Sequence, residues 1–376
     1  MLFTHEQAKA MNARGAAVLA LDLHPPEPER GPRRETYDGV EVLRWPLPRA
    51  FRARPRTTLV ALAQAQRDLV KIVRAEGVDL ALLSFLDHRH LSLWPAYRWG
   101  GARVALNVHG VDAMPIPGRP ELSLLKAGML WRASMTFAVS PQTAALARRL
   151  APGAQVHVAP NGVDRAKLNA AAALDREALR RDWGWSPDEL VVLSVGNLVR
   201  RKGLDRLVSA HEILARRGRR FRHVIVGRGP EQPALRAQAE RAGVADATSF
   251  VDARLSDLEL AGAYHACDIF ALASRTLARP PGMEGFGVVY AEASYLGRPV
   301  LAGRSGGVPS VVRHDETGLL VDPEGPEAAM RFADALDRLL SQPELRRRLG
   351  EAGREMARRR FDWALNAAQI LSVTAP

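Results

Sequence analysis

Glu284 and Glu292 lie eight positions apart in the run Met283-Glu284-Gly285-Phe286-Gly287-Val288-Val289-Tyr290-Ala291-Glu292, and a Gly-Phe-Gly turn follows the first carboxylate directly. Before this run, Cys267-Asp268-Ile269-Phe270-Ala271-Leu272-Ala273 reads as a buried strand. After it, Gly297-Arg298-Pro299-Val300-Leu301-Ala302 reads as helix end, turn and next strand. The glycines therefore fall where a strand hands over to a helix, and there the unpaired backbone N–H groups and the positive end of the helix dipole receive an anion. A separation of eight residues is a little over two helical turns, which puts Glu292 beneath the first turn on the same face. One carboxylate at the mouth and one deeper along the helix suit a polyhydroxylated ligand that carries a phosphate.

Other segments add chemistry of the same kind. Val195-Gly196-Asn197-Leu198-Val199-Arg200-Arg201-Lys202-Gly203-Leu204 is a strand end, a basic loop and a helix start. A lysine there is a compact cation able to reach phosphate oxygens, although the segment taken alone is equally a solvated basic loop. Val226-Gly227-Arg228-Gly229 offers only Gly-x-Gly before a helix and lacks the third glycine of a dinucleotide fingerprint, which argues against an oxidoreductase. Asn107-Val108-His109-Gly110-Val111-Asp112 ends a strand with His109 at a ligand-facing position. Asp112 is either an orienting partner for it or a turn cap.

The elements needed to position these residues alternate along the chain. Strands are expected at 16–21, 40–45, 80–85, 104–108 and 136–139, with helices at 59–75, 122–132 and 142–150 among them. After Pro160-Asn161-Gly162-Val163-Asp164 and a helical stretch at 176–183 the rhythm restarts. The second series has strands at 190–195, 223–226, 248–251, 269–273 and 299–302, with helices at 204–217, 231–242, 258–266, 287–296 and 327–340. A helix over 361–373 closes the chain. Two such series imply two doubly wound α/β domains with parallel sheets, ligands at the carboxyl ends of the strands, and an active site in the cleft between domains.

Bulk properties narrow the partners. The 376 residues suffice for two domains, and 47% hydrophobic and 25% charged residues are ordinary for a soluble globular chain. No apolar run reaches the roughly 18 residues of a membrane span, and the N-terminus lacks the pattern of a signal peptide. The single cysteine, Cys267, excludes an internal disulfide and fits a reducing cytosol. The net charge is +12, and among the 53 basic residues lysine occurs only at positions 9, 71, 126, 167 and 202. The arginine clusters at 216–220, 346–348 and 358–360 read as solvated helix faces, and no nucleic-acid module is recognisable.

Taken together, these segments resemble glycosyltransferase family 4, whose members are retaining enzymes of GT-B architecture, and the resemblance covers nearly the whole chain. Glu284 and Glu292 match its E-x7-E signature, Gly196 to Gly203 its strand-loop-Lys-Gly segment, and Pro160-Asn161-Gly162-Val163-Asp164 its hinge motif. Ser305-Gly306-Gly307-Val308-Pro309 with Thr317-Gly318-Leu319-Leu320-Val321 matches the stretch after the signature, and His109-Gly110 the N-terminal-domain histidine. The first half is similar to bacterial cell-surface polysaccharide transferases of the teichuronic-acid type. The long approach 275–283 to Glu284 is similar to that of some phosphoinositide mannosyltransferases, which points to mannose and GDP.

The resemblance implies residue roles. Catalytic positions are His109, Lys202 and Glu284. The donor is held by Gly196, Asn197, Arg201, Lys202, Glu284, Gly285, Phe286, Gly287, Val288, Val289 and Glu292. Glu292 accepts the ribose hydroxyls, Glu284 faces the transferred sugar, Lys202 neutralises the departing diphosphate, and His109 lines the reaction centre near the sugar C6 hydroxyl. Retention implies same-face attack with the departing phosphate oxygen as base and no protein nucleophile. Neither metal nor other cofactor is implied.

The expected domains are 1–165 with 358–376 on the acceptor side, joined by a C-terminal helix that crosses back, and 166–357 for the nucleotide sugar. The expected reaction moves a hexose from a UDP- or GDP-linked donor to a glycan or lipid-linked acceptor in cell-surface polysaccharide synthesis. The expected location is cytoplasmic, possible at an anionic inner membrane face, without nucleic acid. Two departures favour an alternative, a catalytically inert, N-terminally truncated nucleotide-binding relative that serves as a partner subunit. Asn197 replaces a frequent arginine, and the strand and glycine-rich loop that open family members are missing before the first helix, near Thr4.

Overall fold

A computed structural model describes residues 2–24, 33–46, 55–86 and 88–374. Contacts divide the chain into two compact units, Met1–Asn161 with Trp363–Pro376, and Gly162–Asp362. The divisions fall after Asn161 and Asp362, where the sequence suggested 165 and 357. The reason is local. Asp164 caps the helix Arg165–Ala172, which packs on the helix Asp257–Ala266, and Val163 forms a bridge with Asp362. Residues 162–165 and 358–362 therefore belong to the second unit.

In the first unit the strands are β1 (Leu19–His24), β2 (Arg33–Tyr37), β3 (Val40–Pro46), β4 (Leu80–Ser84), β5 (Arg103–Val108), β6 (Met135–Ala138) and β7 (Val156–Val158). β4, β5, β6 and β7 form a parallel sheet in chain order. β1 pairs in parallel with β3, and β2 pairs antiparallel with β3, in a separate sheet. Sequence reasoning missed β2, although Asp38-Gly39, with φ of 46° and 77°, is the dipeptide of a tight hairpin. It also missed the helix His88–Gly100, whose internal Pro95 reads as a helix breaker.

Among the described residues the chain opens with the helix Leu2–Asn12, and no strand joins β1 to β4. Each of these two strands is hydrogen-bonded on one side only. The described residues of β1 are half-buried, whereas those of β6 are all buried. The helix Trp363–Thr374 packs on Leu2–Asn12. A buried polar network fixes it: Gln7 Nε2 donates to Asn366 Oδ1 at 2.8 Å, and Asn366 Nδ2 donates to the Pro160 carbonyl at 2.9 Å. Asn107 Nδ2 donates to Gln7 Oε1 at 3.3 Å.

In the second unit the strands are β8 (Val191–Val195), β9 (Arg222–Val226), β10 (Thr248–Val251), β11 (Ile269–Leu272), β12 (Leu277–Ala278), β13 (Pro281–Gly282), β14 (Val300–Gly303) and β15 (Leu319–Val321). Six of them form one parallel sheet in the order β10-β9-β8-β11-β14-β15. Central strands β8, β11 and β14 are buried throughout, as their nearly unbroken apolar runs require of a sheet covered on both faces. The chain winds outward from β8 to β10, then returns to β11 on the other side. The strand order thus reverses between β8 and β11, and the loops leaving their carboxyl ends emerge side by side, the usual ligand position of a doubly wound sheet. Cys267 is buried behind β11, and burial pushes its thiol up to about 12.

The arginine clusters face solvent with carboxylate partners. Arg216 pairs with Glu212, Arg217 with Asp334, Arg219 with Asp337, Arg347 with Glu344 and Glu351, and Arg359 with Glu355. Among the described residues no helix is long and apolar enough to cross a membrane.

Candidate functional site

The loop after β8 ends in a 3₁₀ turn, Arg200–Lys202, closed by Gly203 in the left-handed region at φ 65°. A Cβ on Gly203 would come within 1.9 Å of the Ala273 carbonyl oxygen, so only glycine lets this turn sit against the end of β11. From β11 the chain runs through the β12–β13 hairpin to Glu284, and then to Gly287, which opens the helix Val288–Tyr295 at φ 93°. A Cβ on Gly287 would lie 2.5 Å from the Tyr290 ring. Gly307 donates its N–H to the Glu284 carbonyl at 2.7 Å, which gives the Ser305-Gly306-Gly307 segment a physical task.

The side chains of the two loops converge. Lys202 Nζ lies 2.6 Å and Arg201 Nη1 2.9 Å from Glu284 Oε2, and the Ser274 hydroxyl lies 3.4 Å from the same oxygen. The Lys202 and Glu284 side chains are 9% and 12% exposed, and that of Arg201 is 25% exposed. Burial alone would push the Glu284 carboxyl up; the charges and hydrogen bonds of Lys202 and Arg201 outweigh it and hold the group below its ordinary value. Two cations thus share one carboxylate at the mouth of a helix, and they can pass to a more highly charged anion.

Arg275 fastens this arrangement. Its N–H donates to the Arg201 carbonyl, its Nε to the Arg200 carbonyl at 2.9 Å, and its Nη1 to Asp205 at 3.0 Å. The Tyr290 hydroxyl donates to the Leu272 carbonyl at 3.0 Å and lies 2.8 Å from the Ser274 hydroxyl, tying the helix to the end of β11.

Glu292 sits deeper in the same helix and has its own cation. Lys167 Nζ lies 3.3 Å from Glu292 Oε1. Burial raises the Glu292 carboxyl, against the opposing pull of Lys167 and the Tyr264 hydroxyl. Asn197 stands outside these clusters, exposed on its loop, with its carbonyl accepting from the Val199 N–H at 2.8 Å.

His109 belongs to the first unit, at the end of β5. Its ring lies 4.6 Å from that of Phe85, and burial lowers it to about 4, so the imidazole is neutral at physiological pH. Asp112 Oδ1 accepts from the N–H groups of His109 at 2.9 Å and Gly110 at 2.8 Å, which makes Asp112 a turn cap. Among the described residues one trio could group around a metal, His5, Glu6 and Asp38 in the first unit; Lys9 Nζ, 2.6 Å from Asp38, puts a cation there already.

Sequence reasoning passed over Arg275, Ser274, Lys167 and Tyr264. Arg275 and Lys167 carried a weak signal: the first starts the long approach to Glu284, and the second is one of few lysines among many arginines. Ser274 and Tyr264 carried none, because their contacts are set by packing across the sheet.

Known proteins resemble the chain at both ends. The family model "Glycosyl transferases group 1" matches residues 175–356, and "Glycosyltransferase Family 4" matches residues 2–167. The GDP-mannose-dependent alpha-(1-6)-phosphatidylinositol monomannoside mannosyltransferase of Mycobacterium tuberculosis (strain H37Rv) is 33% identical over 312 residues, covering 81% of this chain and 76% of its own. The GDP-mannose-dependent monoacylated alpha-(1-6)-phosphatidylinositol monomannoside mannosyltransferase of Corynebacterium glutamicum is 30% identical over 341 residues, covering 89% and 83%. Among solved structures, sucrose-phosphate synthase from Thermosynechococcus elongatus superposes with a TM-score of 0.79 at 22% identity, covering 99% of this chain and 92% of that one. The fold is the two-domain GT-B fold.

Proposed function

The chain belongs to glycosyltransferase family 4 and is an enzyme using a nucleotide-sugar donor, and from that premise we propose that its second unit binds GDP-mannose and that the enzyme transfers mannose, with retention, to a lipid-linked acceptor of the phosphoinositide type. The observation that carries the donor site is the sharing of Glu284 between Arg201 and Lys202. When the diphosphate enters, these two cations turn to its oxygens, and Lys202 neutralises charge as the diphosphate leaves. Glu284, released from them, accepts hydroxyls of the transferred sugar together with the opening N–H groups of the helix. Glu292 accepts the ribose hydroxyls. Neutral His109 is able to hydrogen-bond a sugar hydroxyl without adding charge. The departing phosphate oxygen takes the acceptor proton, so no side chain acts as nucleophile, and no metal is assigned a role.

The names of the relatives support GDP-mannose and a phosphatidylinositol-based acceptor. A lipid acceptor implies work at a membrane surface. Leu124, Leu125 and Trp131, all exposed on the helix Pro120–Arg132 that also bears Lys126 and Arg132, together with the net charge of +12, support docking on anionic lipid. Cell-surface glycan synthesis at the cytoplasmic face is the corresponding setting.

The test supplies the purified protein with GDP-mannose, UDP-glucose and UDP-N-acetylglucosamine, each with phosphatidylinositol mannoside vesicles and with soluble glycan acceptors. Consumption of GDP-mannose with an α-linked lipid product, lost in Glu284→Ala, is expected. Consumption of a UDP-sugar in its place would overturn the mannosyl assignment, and an inverted product would overturn retention.

A further inference from the structure

Lys167 lies in the first turn of the helix Arg165–Ala172, where its N–H is taken by the Asp164 side chain at 3.0 Å. Its side chain runs inward to Glu292, and the two side chains are 10% and 11% exposed. The Tyr264 hydroxyl from the helix Asp257–Ala266 faces the same carboxylate, as does the charge of Asp164. A carboxylate this buried takes up a proton unless a cation stands beside it. In a chain whose basic residues are nearly all arginine, two of the five lysines stand at the two carboxylates of the Glu284–Glu292 pair.

We propose that Lys167 is a positioning residue of the donor site, holding the Glu292 carboxylate in place and charged as the acceptor for the vicinal ribose hydroxyls. This rests on the reading of Glu292 as the ribose-binding residue. Lys167 itself touches no substrate. An ionised carboxylate accepts from two hydroxyls at once, whereas a protonated one offers fewer acceptor sites and must place a proton of its own. Loss of Lys167 therefore raises the carboxyl further and makes the ribose contact depend more steeply on pH, with Asp164 adding to the pressure for protonation.

The experiment titrates GDP, and separately inorganic pyrophosphate, into the full chain and its Lys167→Met, Lys167→Arg and Glu292→Gln variants between pH 6 and 9. For Lys167→Met the expected result is GDP binding weakened about 10- to 100-fold at pH 7 relative to the parent. The deficit should shrink as pH rises, and pyrophosphate, which has no ribose, should bind as in the parent. Lys167→Arg keeps the charge and should keep a flat ratio, and it serves as the test if the methionine variant does not fold. A pH-independent deficit, an equal loss for pyrophosphate, or a Lys167→Arg variant with the pH profile predicted for methionine would overturn the proposal. If Glu292→Gln leaves GDP binding unchanged, the ribose reading fails first; if it weakens binding while Lys167→Met does not, only the role of Lys167 fails.

Discussion

Replacing Glu284 by glutamine should have opposite effects on binding and turnover. In the parent chain Oε2 of Glu284 lies 2.6 Å from Lys202 Nζ and 2.9 Å from Arg201 Nη1, so an incoming diphosphate must win both cations from a carboxylate already in contact with them. A phosphate oxygen that accepts from the same ammonium stands about 5 Å from the carboxylate, a repulsion of about 3 kcal/mol at an effective dielectric near 20. Side-chain movement and proton uptake relieve part of this, leaving about 1–2 kcal/mol in favour of the glutamine variant, or roughly 5- to 30-fold tighter binding of free GDP. The amide keeps the shape but cannot order the sugar hydroxyls as the carboxylate does, so kcat should fall by at least about 100-fold. The ligand-free variant should also melt lower, because two partly buried cations lose their counter-charge, and GDP should raise its melting temperature more than it does the parent's. Calorimetric titration of GDP and GDP-mannose, with turnover measured in parallel, tests the reasoning. A folded Glu284→Gln variant that binds GDP no tighter than the parent would show that the carboxylate does not compete with the diphosphate for Arg201 and Lys202, and the argument would be refuted.

Three further outcomes are expected. Arg275→Met removes one side-chain hydrogen bond to the Arg200–Lys202 turn and one to Asp205, and should raise the donor KM about 10-fold or more with a smaller change in kcat; an unchanged KM counts against a fastening role. Gly203→Ala places a Cβ 1.9 Å from the Ala273 oxygen at a φ of 65° and should lower stability by about 2–4 kcal/mol and activity with it, read as a shift of the urea midpoint. Burial lowers His211 to about 4 and His223 to about 3, so the unfolded chain takes up these protons first; stability is complete above pH 6.5 and drains away as the pH falls from there towards 4 and 3, by several kcal/mol in order of magnitude. Urea unfolding at pH 7 and pH 4.5 should show this loss, and His223→Gln should flatten it.

The alternation of strands and helices was readable because buried parallel strands such as β8 and β11 are nearly unbroken apolar runs, and the E-x7-E pair and Lys202 stood out by spacing. The family and the GT-B fold followed from motif order and are borne out by the family models and the solved relatives. Sequence reasoning undervalued β2, whose Asp-Gly turn was visible; on the loop after β8 the Arg201 side chain reaches Glu284, while Asn197 is exposed. Lys167 was hidden for a physical reason. It lies 125 positions before its partner, and nothing in the residues around it shows which side chain faces it across the packing of two helices.

The helix Trp363–Thr374 has a consequence for synthesis. It completes the first unit through Asn366, Gln7 and Asn107, yet the whole of Gly162–Asp362 is translated in between. At about 5–20 residues per second that interval lasts roughly 10–40 s on the ribosome. The unit begun first is therefore finished last, and the later unit, continuous in sequence, can fold before its predecessor is complete. During that wait the Gln7 amide and the Pro160 carbonyl that Asn366 will engage are held by water, and the nascent first half is the part of the chain most in need of protection.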